Sequence, residues 1–308
     1  MKIGRHRVRL AVAAAAAGAT IVSGCAAGSR LATVDGVGIT QTDVLAMSSE
    51  QAGATAPAAD VRRSLTTLIL EQAVAVAAAK QFGTVLSDDQ VEARLADPPP
   101  RYLSLFEQIA ADPAVGPGLA DLNARFTLVR DDVIPRLLVE QRGSYQAVIS
   151  ETPELVMRAC VSHILVATAE EADTVLDRLI AGEDFATVAT QVSLDQQSPG
   201  GVLGQPDTCL VHHGQLGTEF VAGVMAAPLQ VPTGPLATSF GFHVIQVDER
   251  VIPTVAEMTA DPMTHLDPAT ANELMGPWFG AAVTDADIDV RSSVGEWSAE
   301  SSTVVAGS

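Results

Sequence analysis

The chain has 308 residues, 47% of them hydrophobic and 18% charged, which is enough for two domains that each bury a core. Its formal net charge of −19 disfavours nucleic-acid binding, because a phosphate backbone requires a basic surface. An acidic surface instead favours solubility and repels other acidic surfaces.

The first 24 residues have the layout of an export signal. A basic start is followed by an apolar run over residues 10–22, which is short for a helix that spans a bilayer. The junction VSGC at 22–25 resembles the lipobox of bacterial lipoproteins, whose cysteine is lipidated and becomes the new N-terminus. We therefore expect Cys25 to carry a lipid. An ordinary signal peptide cut nearby, or an uncleaved anchor, is the alternative.

Residues 25–150 are predicted to be mainly helical. A short strand and turn surround Asp35-Gly36, and residues 51–60 are expected to form a loop. Helices are predicted over 61–82, from the capping box at 87–90 to the prolines at 98–100, and over 119–142, where Pro135 should kink the helix or end its first part.

The segment 155–250 has a different pattern, in which strands alternate with short helices. CVSHILV at 160–166 predicts a strand, and the capping box at 168–171 opens a helix that stops at Gly182. The further predicted elements are a helix over 185–192, a glycine-rich loop at 198–204, a helix over 218–225 and two strands around Gly241.

Residues 251–308 are expected to pack back on the N-terminal domain. They are predicted to contain a helix at 269–279, a strand within 286–297 and a frayed serine-rich end.

Two cysteines, Cys160 and Cys209, remain once Cys25 is assigned to lipid. An even count in an exported protein favours a disulfide between them. Two free buried thiols are the alternative.

Two histidines lie on apolar strands. Period-two alternation places His163 on one face of the first strand and His243 on one face of the last. If these strands are antiparallel neighbours, the two imidazoles can meet, but alternation alone does not make the strands neighbours. A single histidine on an apolar strand is more often a core residue whose hydrogen bonds are satisfied.

The motifs of this segment, in order, resemble those of parvulin-type peptidyl-prolyl isomerases. The matching pieces are SHILV at 162–166, GEDF at 182–185, SLD at 193–195, GGVLG at 200–204, GQL at 214–216 with Phe220, and GPLAT followed by FGFHVI at 240–245. The N-terminal region is more loosely similar to exported foldases of the SurA/PrsA class. The resemblance implies an α+β fold, with a small antiparallel sheet and surrounding helices in the parvulin domain and a mainly helical SurA-like N-terminal domain.

The resemblance also implies roles for individual residues. His163 and His243 would form the polar floor of the site, Asp195 would lie beside the substrate carbonyl, and Thr238 would complete the hydrogen-bond network. Leu203, Leu216 and Phe220 would line a pocket for proline. Asp195 as a turn or cap residue, and the apolar residues as ordinary core, are the alternatives.

Isomerisation of an X–Pro bond breaks no covalent bond, so we expect no cofactor and no metal. The pair His212-His213 beside Cys209 prompts a zinc interpretation, but adjacent histidines lack the spacing of zinc motifs. No G-x-S-x-G motif supports a hydrolase. Ala167 stands where phosphate-directed members carry a lysine, so phosphorylated Ser/Thr-Pro is not an expected substrate.

The predicted organisation is a signal at 1–24, an N-terminal chaperone domain at 25–150, a parvulin domain at 155–250 and a C-terminal segment at 251–308. The predicted function is isomerisation of X–Pro bonds in folding exported polypeptides by a lipoprotein held at the outer face of the bacterial cell membrane. The rival hypothesis is a catalytically weak or inactive holdase. It rests on a loop after Asp195 that is shorter than the family norm, and on departures from the family pattern at Val202, Gln205 and Phe240.

Overall fold

The computed structural model describes residues 30–47, 58–204, 209–212, 214 and 216–307. The predicted export signal with Cys25, and also Gln205 and His213, lie outside the described residues. Within those ranges, the structure contains no helix whose length and apolar character would allow it to cross a membrane.

The helices and strands of the described residues are as follows. The helices are α1 (Gln41–Ala46), α2 (Ala58–Phe82), α3 (Asp88–Ala96), α4 (Pro100–Ala111), α5 (Pro117–Arg142), α6 (Tyr145–Glu151), α7 (Ala169–Ile180), α8 (Phe185–Val192), α9 (Thr218–Ala226), α10 (Val255–Ala260), α11 (Pro262–His265) and α12 (Pro268–Thr284). The strands are β1 (Arg30–Val34), β2 (Val37–Thr40), β3 (Arg158–Val166), β4 (Val202–Leu203), β5 (Val211–His212), β6 (Thr233–Thr238), β7 (Gly241–Val251), β8 (Ile288–Val290), β9 (Glu296–Ser298) and β10 (Thr303–Val305).

The chain divides into two compact units, residues 1–133 with 277–308 and residues 134–276. In the first unit, β1 pairs with β2 across a turn at Asp35-Gly36 and also pairs with β8. Leu65 and Ile69 of α2 pack in the same core as Val34 of β1. The four-part domain division made from the sequence stays a prediction.

Several elements differ from their predictions. Helix α5 continues through Pro135 without ending there, and the buried side chains of Val133, Ile134 and Leu138 show that packing holds this part of the helix. The loop predicted at 51–60 is wrong at its end, because α2 begins at Ala58.

The C-terminal tail also differs from its prediction. The single strand predicted within 286–297 is two strands, β8 and β9. The end is not frayed, because β10 pairs with β9 and the backbone N–H of Val304 donates to Oγ1 of Thr66 at 2.9 Å. Both predictions failed because short paired strands carry little pattern of their own.

The second unit contains an antiparallel sheet in the order β4-β3-β7-β6, with β5 also pairing with β3. Helix α9 packs on one face, where Val161 and Ile245 lie, and α7 and α8 pack on the other face, where Ile164 and Val244 lie. The predicted capping box that opens α7 at Thr168 is present. The α+β fold class, with a small antiparallel sheet and surrounding helices, is confirmed.

Candidate active site

The pairing of β3 with β7 brings the two histidines together. In the register of this pair, Leu165 lies opposite His243 and His163 lies opposite Ile245, so the imidazoles are diagonal neighbours on one face. Their rings stack with centroids 5.3 Å apart at 18°, and Nδ1 of His163 lies 3.1 Å from Nδ1 of His243. Both residues are buried, with exposures of 6% and 4%.

Asp195 extends this pair on the side of His163. Its Oδ2 lies 2.8 Å from Nε2 of His163 and accepts a hydrogen bond from Oγ of Ser198 at 2.7 Å. Its Oδ1 accepts the backbone N–H of Gln197 at 2.9 Å. Burial raises the pKa of Asp195, but the hydrogen bonds from Ser198, Gln197 and His163 outweigh burial and hold that pKa below its ordinary value. The carboxylate is therefore charged at neutral pH.

Thr238 extends the pair on the side of His243. Its Oγ1 lies 2.8 Å from Nε2 of His243 and accepts the backbone N–H of Phe240 at 3.1 Å. Thr238 lies next to the turn between β6 and β7, so the pairing of these strands fixes the hydroxyl beside the imidazole.

The network restricts the proton positions on the two rings. Because the Asp195 carboxylate can only accept, Nε2 of His163 donates to it. In the contact between the rings, one Nδ1 donates to the other. Oγ1 of Thr238 lies 2.8 Å from Nε2 of His243 and 3.4 Å from the carbonyl oxygen of Gly241. A continuous series of hydrogen bonds thus joins Thr238 to Asp195 through the two imidazoles.

The surroundings of His243 favour its neutral form. Burial, together with the neighbouring His163, lowers the pKa of His243 from 6.5 to about 4, although Asp195 acts in the opposite direction. His243 is therefore neutral at physiological pH.

An apolar wall stands beside the polar network. The ring of Phe220, 3% exposed, meets both histidines edge-on, with centroids 6.1 Å from His163 and 5.3 Å from His243. Leu203 pairs with Val161 in the sheet and packs against the core cluster that contains Phe220. These contacts leave an apolar surface next to a hydrogen-bonded floor.

Leu216 is more exposed than the other predicted pocket residues. It is 38% exposed and lies just before Gly217, whose φ of 88° leads the chain into α9. Its place in the proline pocket stays a prediction.

The sequence interpretation gave Ser193 no role, although it positions Asp195. The side chain is buried, and its Oγ accepts the backbone N–H groups of Leu165 at 3.2 Å and Asp195 at 3.3 Å. The backbone N–H of Leu194 donates to the carbonyl of Leu165 at 2.8 Å. Asp195 is thereby attached to the strand that carries His163. The serine two residues before the carboxylate was the available signal.

Within the glycine motif at 200–204, Gly201 must be glycine for steric reasons. Its φ is 83°, and a Cβ on it would collide with the carbonyl oxygen of His163 and lie 3.2 Å from both Ala189 and the ring of Phe185. Phe185 belongs to the GEDF motif, so two separate motifs meet behind His163. Only glycine fits this position without a shift of the neighbouring backbone.

Cys160 and Cys209 are paired in the structure, with Cα atoms 4.7 Å apart. Cys160 lies on β3, three residues before His163, and Cys209 precedes β5. Across the part of the chain that the structure describes, no group of three His, Cys, Asp or Glu side chains is arranged to hold a metal ion.

Val202 and Phe240, two of the departures from the family pattern, lie at the edge of the site. Val202 of β4 is 40% exposed, and Phe240 at the β6–β7 turn is 78% exposed. Neither side chain takes part in the hydrogen-bond network that joins His163, His243, Asp195 and Thr238.

Comparison with known proteins supports the motif interpretation. The family described as "Rotamase: PPIC-type PPIASE domain" matches residues 163–249. A "Parvulin-like PPIase" of Rickettsia prowazekii is 33% identical over 132 residues, which cover 42% of this chain and 46% of that protein. "Foldase protein PrsA" of Halalkalibacterium halodurans is 29% identical over 131 residues, which cover 40% of this chain and 38% of that protein. The chain thus spans less than half the length of these curated relatives.

Among solved structures, peptidylprolyl isomerase PrsA from Bacillus anthracis aligns with a TM-score of 0.41 and 20% identity, over 69% of this chain and 94% of that one. The family match contains His163, Asp195, Thr238 and His243. The predicted resemblance is confirmed: residues 163–249 of this chain match the family of PPIC-type, or parvulin-type, peptidyl-prolyl isomerase domains.

Proposed function

We propose that the protein is a peptidyl-prolyl cis/trans isomerase that assists the folding of exported polypeptides. The observation that carries the proposal is the buried His163–His243 pair, tied to Asp195 and Thr238 and bounded by the ring of Phe220. An apolar wall beside a fixed polar floor suits a proline ring whose amide must be twisted.

The reaction requires differential binding and no covalent step. Rotation about the amide faces a barrier of ~18–20 kcal/mol because resonance holds the bond planar. An enzyme lowers this barrier by binding the twisted amide better than either planar isomer. The twisted amide has lost resonance, so its carbonyl oxygen carries less negative charge and its nitrogen is more basic.

The side chains of the site have matching roles. The charged Asp195 beside the substrate carbonyl repels a planar amide more than a twisted one, because the planar carbonyl oxygen is the more negative. His163 and His243 hold Asp195 and Thr238 in place, and His243 remains uncharged. Phe220 and Leu203, with Leu216 near the start of α9, contact the proline ring and exclude water from it.

The N-terminal unit has a proposed role in holding non-native chains. Val37, Val85 and Leu103 of this unit are exposed by 44%, 82% and 45%, and such apolar side chains suit unfolded clients with exposed hydrophobic residues. A client held by this unit would present its prolines to the isomerase domain.

The decisive measurement is cis/trans exchange in a proline tetrapeptide, followed by NMR, with the chain beginning at Ala26. We expect acceleration by the unmodified protein and a strong loss in His243→Ala and Phe220→Ala. Ile180→Ala is the matched control, because Ile180 is 76% exposed on α7 and absent from the site. Suppression of client aggregation without any acceleration of exchange would favour the holdase, the rival function.

Lipid anchoring and export are part of the same proposal and have a separate test. The Cys25→Ser protein should lose its lipid and leave the membrane fraction, whereas the unmodified protein should remain there. A Cys25→Ser protein that stays in the membrane at its full uncleaved mass would make the signal an anchor.

A further inference from the structure

Asp267 is a buried carboxylate that lies outside the matched isomerase domain. It is 1% exposed and directly precedes α12, where its Oδ1 accepts the backbone N–H groups of Ala269 at 2.8 Å and Thr270 at 3.1 Å. Its own backbone N–H donates to the carbonyl of Leu155 at 2.9 Å. Both its backbone and one carboxylate oxygen are therefore fixed.

The second oxygen of this carboxylate has a different environment. Oδ2 of Asp267 is buried and has no hydrogen-bond partner among the described residues. A buried, unpaired carboxylate oxygen costs free energy, so a serine or asparagine before α12 would cap the helix at lower cost. Capping of α12 therefore does not explain why this position carries a carboxylate, and another structural or functional role must account for it.

Gly214 lies directly against this carboxylate. A Cβ on Gly214 would be 2.8 Å from Cγ of Asp267, 2.9 Å from Oδ2 and 3.0 Å from Oδ1. The contact with Asp267 leaves no room for a side chain at this position unless the carboxylate shifts.

Gly214 belongs to the connection between β5 and α9. Leu216 follows two residues later, and α9 then places Phe220 edge-on against both histidines. Asp267 thus contacts the segment through which the chain enters the proposed proline pocket, although it lies 18 positions beyond the matched domain, which ends at residue 249.

We propose that Asp267 is a positioning residue for the proline pocket. The contact of its carboxylate with Gly214 fixes the position of this loop. The loop in turn positions Leu216 and the first turn of α9. The inference rests on the proposed isomerase function, and it makes substrate affinity depend on a residue that follows the catalytic domain in the chain.

The test is a double-variant cycle in the whole chain. Gly214→Ala adds a methyl group against the carboxylate, and Asp267→Ser removes the carboxylate while keeping a side-chain oxygen that caps α12. We expect Gly214→Ala to raise the KM for a proline tetrapeptide about tenfold with little change in kcat, because a small displacement of a binding group has effects of this size or larger. Asp267→Ser alone should also raise KM, because the loop loses its contact with the carboxylate. The double variant should show less than the combined effect of the two single changes, because both disturb the same contact.

Gly276→Ala is the matched control, since Gly276 lies in α12 and an added Cβ there meets no atom within 4 Å. A second readout is hydrogen exchange at residues 211–217, which should become faster in Asp267→Ser and stay unchanged in Gly276→Ala. This readout does not depend on the folding of Gly214→Ala.

An unchanged KM in Gly214→Ala, fully independent effects of the two changes in the double variant, or unchanged exchange in Asp267→Ser would each overturn the inference. If the unmodified protein does not catalyse exchange, the proposed function fails separately. The Kd for the same peptide then replaces KM in every comparison, and the pattern across the variants still decides the role of Asp267.

Discussion

At the scale of single residues, the neighbours of His243 control its charge state. The stacked His163 and the surrounding core keep His243 neutral, with a pKa near 4 in place of 6.5. A neutral His243 donates at one ring nitrogen and accepts at the other. Protonation of His243 would make both of its nitrogens donors, so that it could no longer accept a hydrogen bond from a neighbour.

This shift predicts how stability depends on pH. Between pH 6.5 and 4, His243 binds a proton in the unfolded chain but not in the folded protein, so the free energy of unfolding should fall as pH drops through this window. Urea denaturation at pH 7, 5.5 and 4.5 measures the fall. The His243→Asn protein has no titrating group at this position and should show a shallower fall. Equal slopes in both proteins would contradict the assigned cause.

Alanine substitutions at Gly182 and Gly201 measure two destabilising effects of an added side chain separately. One effect is left-handed backbone strain, and the other is steric overlap with neighbouring atoms. Gly182 has a φ of 96° and no atom within 4 Å of an added Cβ, whereas Gly201 has a φ of 83° and the carbonyl of His163 in the way. Gly182→Ala should lower the free energy of unfolding by about 1–2 kcal/mol, the cost of the left-handed conformation. Gly201→Ala should cost about 1–3 kcal/mol more, because overpacking adds to it.

Chemical denaturation measures both changes, and cis/trans exchange provides the functional comparison. Gly201→Ala should also slow isomerisation, since β4 and the Ser198–Asp195 contact lie beside it, while Gly182→Ala should not. Equal losses of stability in the two proteins would show that the neighbouring backbone moves aside without cost.

At the scale of elements, the helix that carries Phe220 is held at its C-terminal end by Arg250. Nη2 of Arg250 donates to the carbonyl oxygens of Val224 and Ala227, each at 2.6 Å. The last carbonyl groups of a helix have no partner within the helix, and a cation is favourable there. Arg250 lies at the far end of β7, so the strand that carries His243 also secures α9.

This contact predicts the effect of removing the guanidinium. Arg250→Met keeps an apolar stem but loses both hydrogen bonds, and we expect a loss of about 2 kcal/mol in the free energy of unfolding, since hydrogen bonds from a charged group are stronger than neutral ones. The KM for a proline peptide should rise because α9 becomes less ordered. Arg178→Met, which removes an ion pair with Glu183 on the surface, is the control and should change little. An unchanged KM in Arg250→Met would show that the hydrogen bonds from Arg250 to α9 do not affect substrate binding.

Elements with a local signal were predictable from the sequence. The capping boxes at Ser87 and Thr168 and the helix at 185–192 depend on residues within one or two turns. The continuation of α5 through Pro135, and the pairing of β8 with β1, depend on contacts with distant residues. Such contacts override local preference and leave no trace in a single window of sequence.

At the scale of the whole molecule, the candidate site is assembled from four separate segments of the second unit. Motif order predicted that His163, Asp195, Thr238 and His243 would meet. The distance between the histidines follows from the antiparallel register of β3 and β7, whereas Ser193 positions Asp195 and the pairing of β6 with β7 positions Thr238. The contact of Asp267 with Gly214 was not predictable, because neither residue belongs to a periodic pattern and the buried carboxylate resembles an ordinary helix cap in sequence.

The pairing of Cys160 with Cys209 ties β3 to the segment that leads into β5, and we predict that it is a disulfide in the exported protein. The two residues are 49 positions apart. Closing a loop of this length in the unfolded chain should contribute about 4 kcal/mol to the free energy of unfolding in the chain-entropy description, within a usual range of about 2–4 kcal/mol. The double variant Cys160→Ala/Cys209→Ala should lose this stability in urea denaturation.

The unmodified protein treated with dithiothreitol is the matched control, because it loses the bond while keeping both sulfur atoms in place. Its loss of free energy of unfolding should approach that of the double variant. The remaining difference measures the cost of the cavity left where the sulfur of Cys160, which is 3% exposed, is removed. Because the bond restrains the chain before β5, the reduced protein should also show faster hydrogen exchange at residues 209–217. If a thiol count on the oxidised protein finds two reactive groups, or if dithiothreitol leaves the unfolding curve unchanged, Cys160 and Cys209 are free thiols and the loop is held by strand pairing alone.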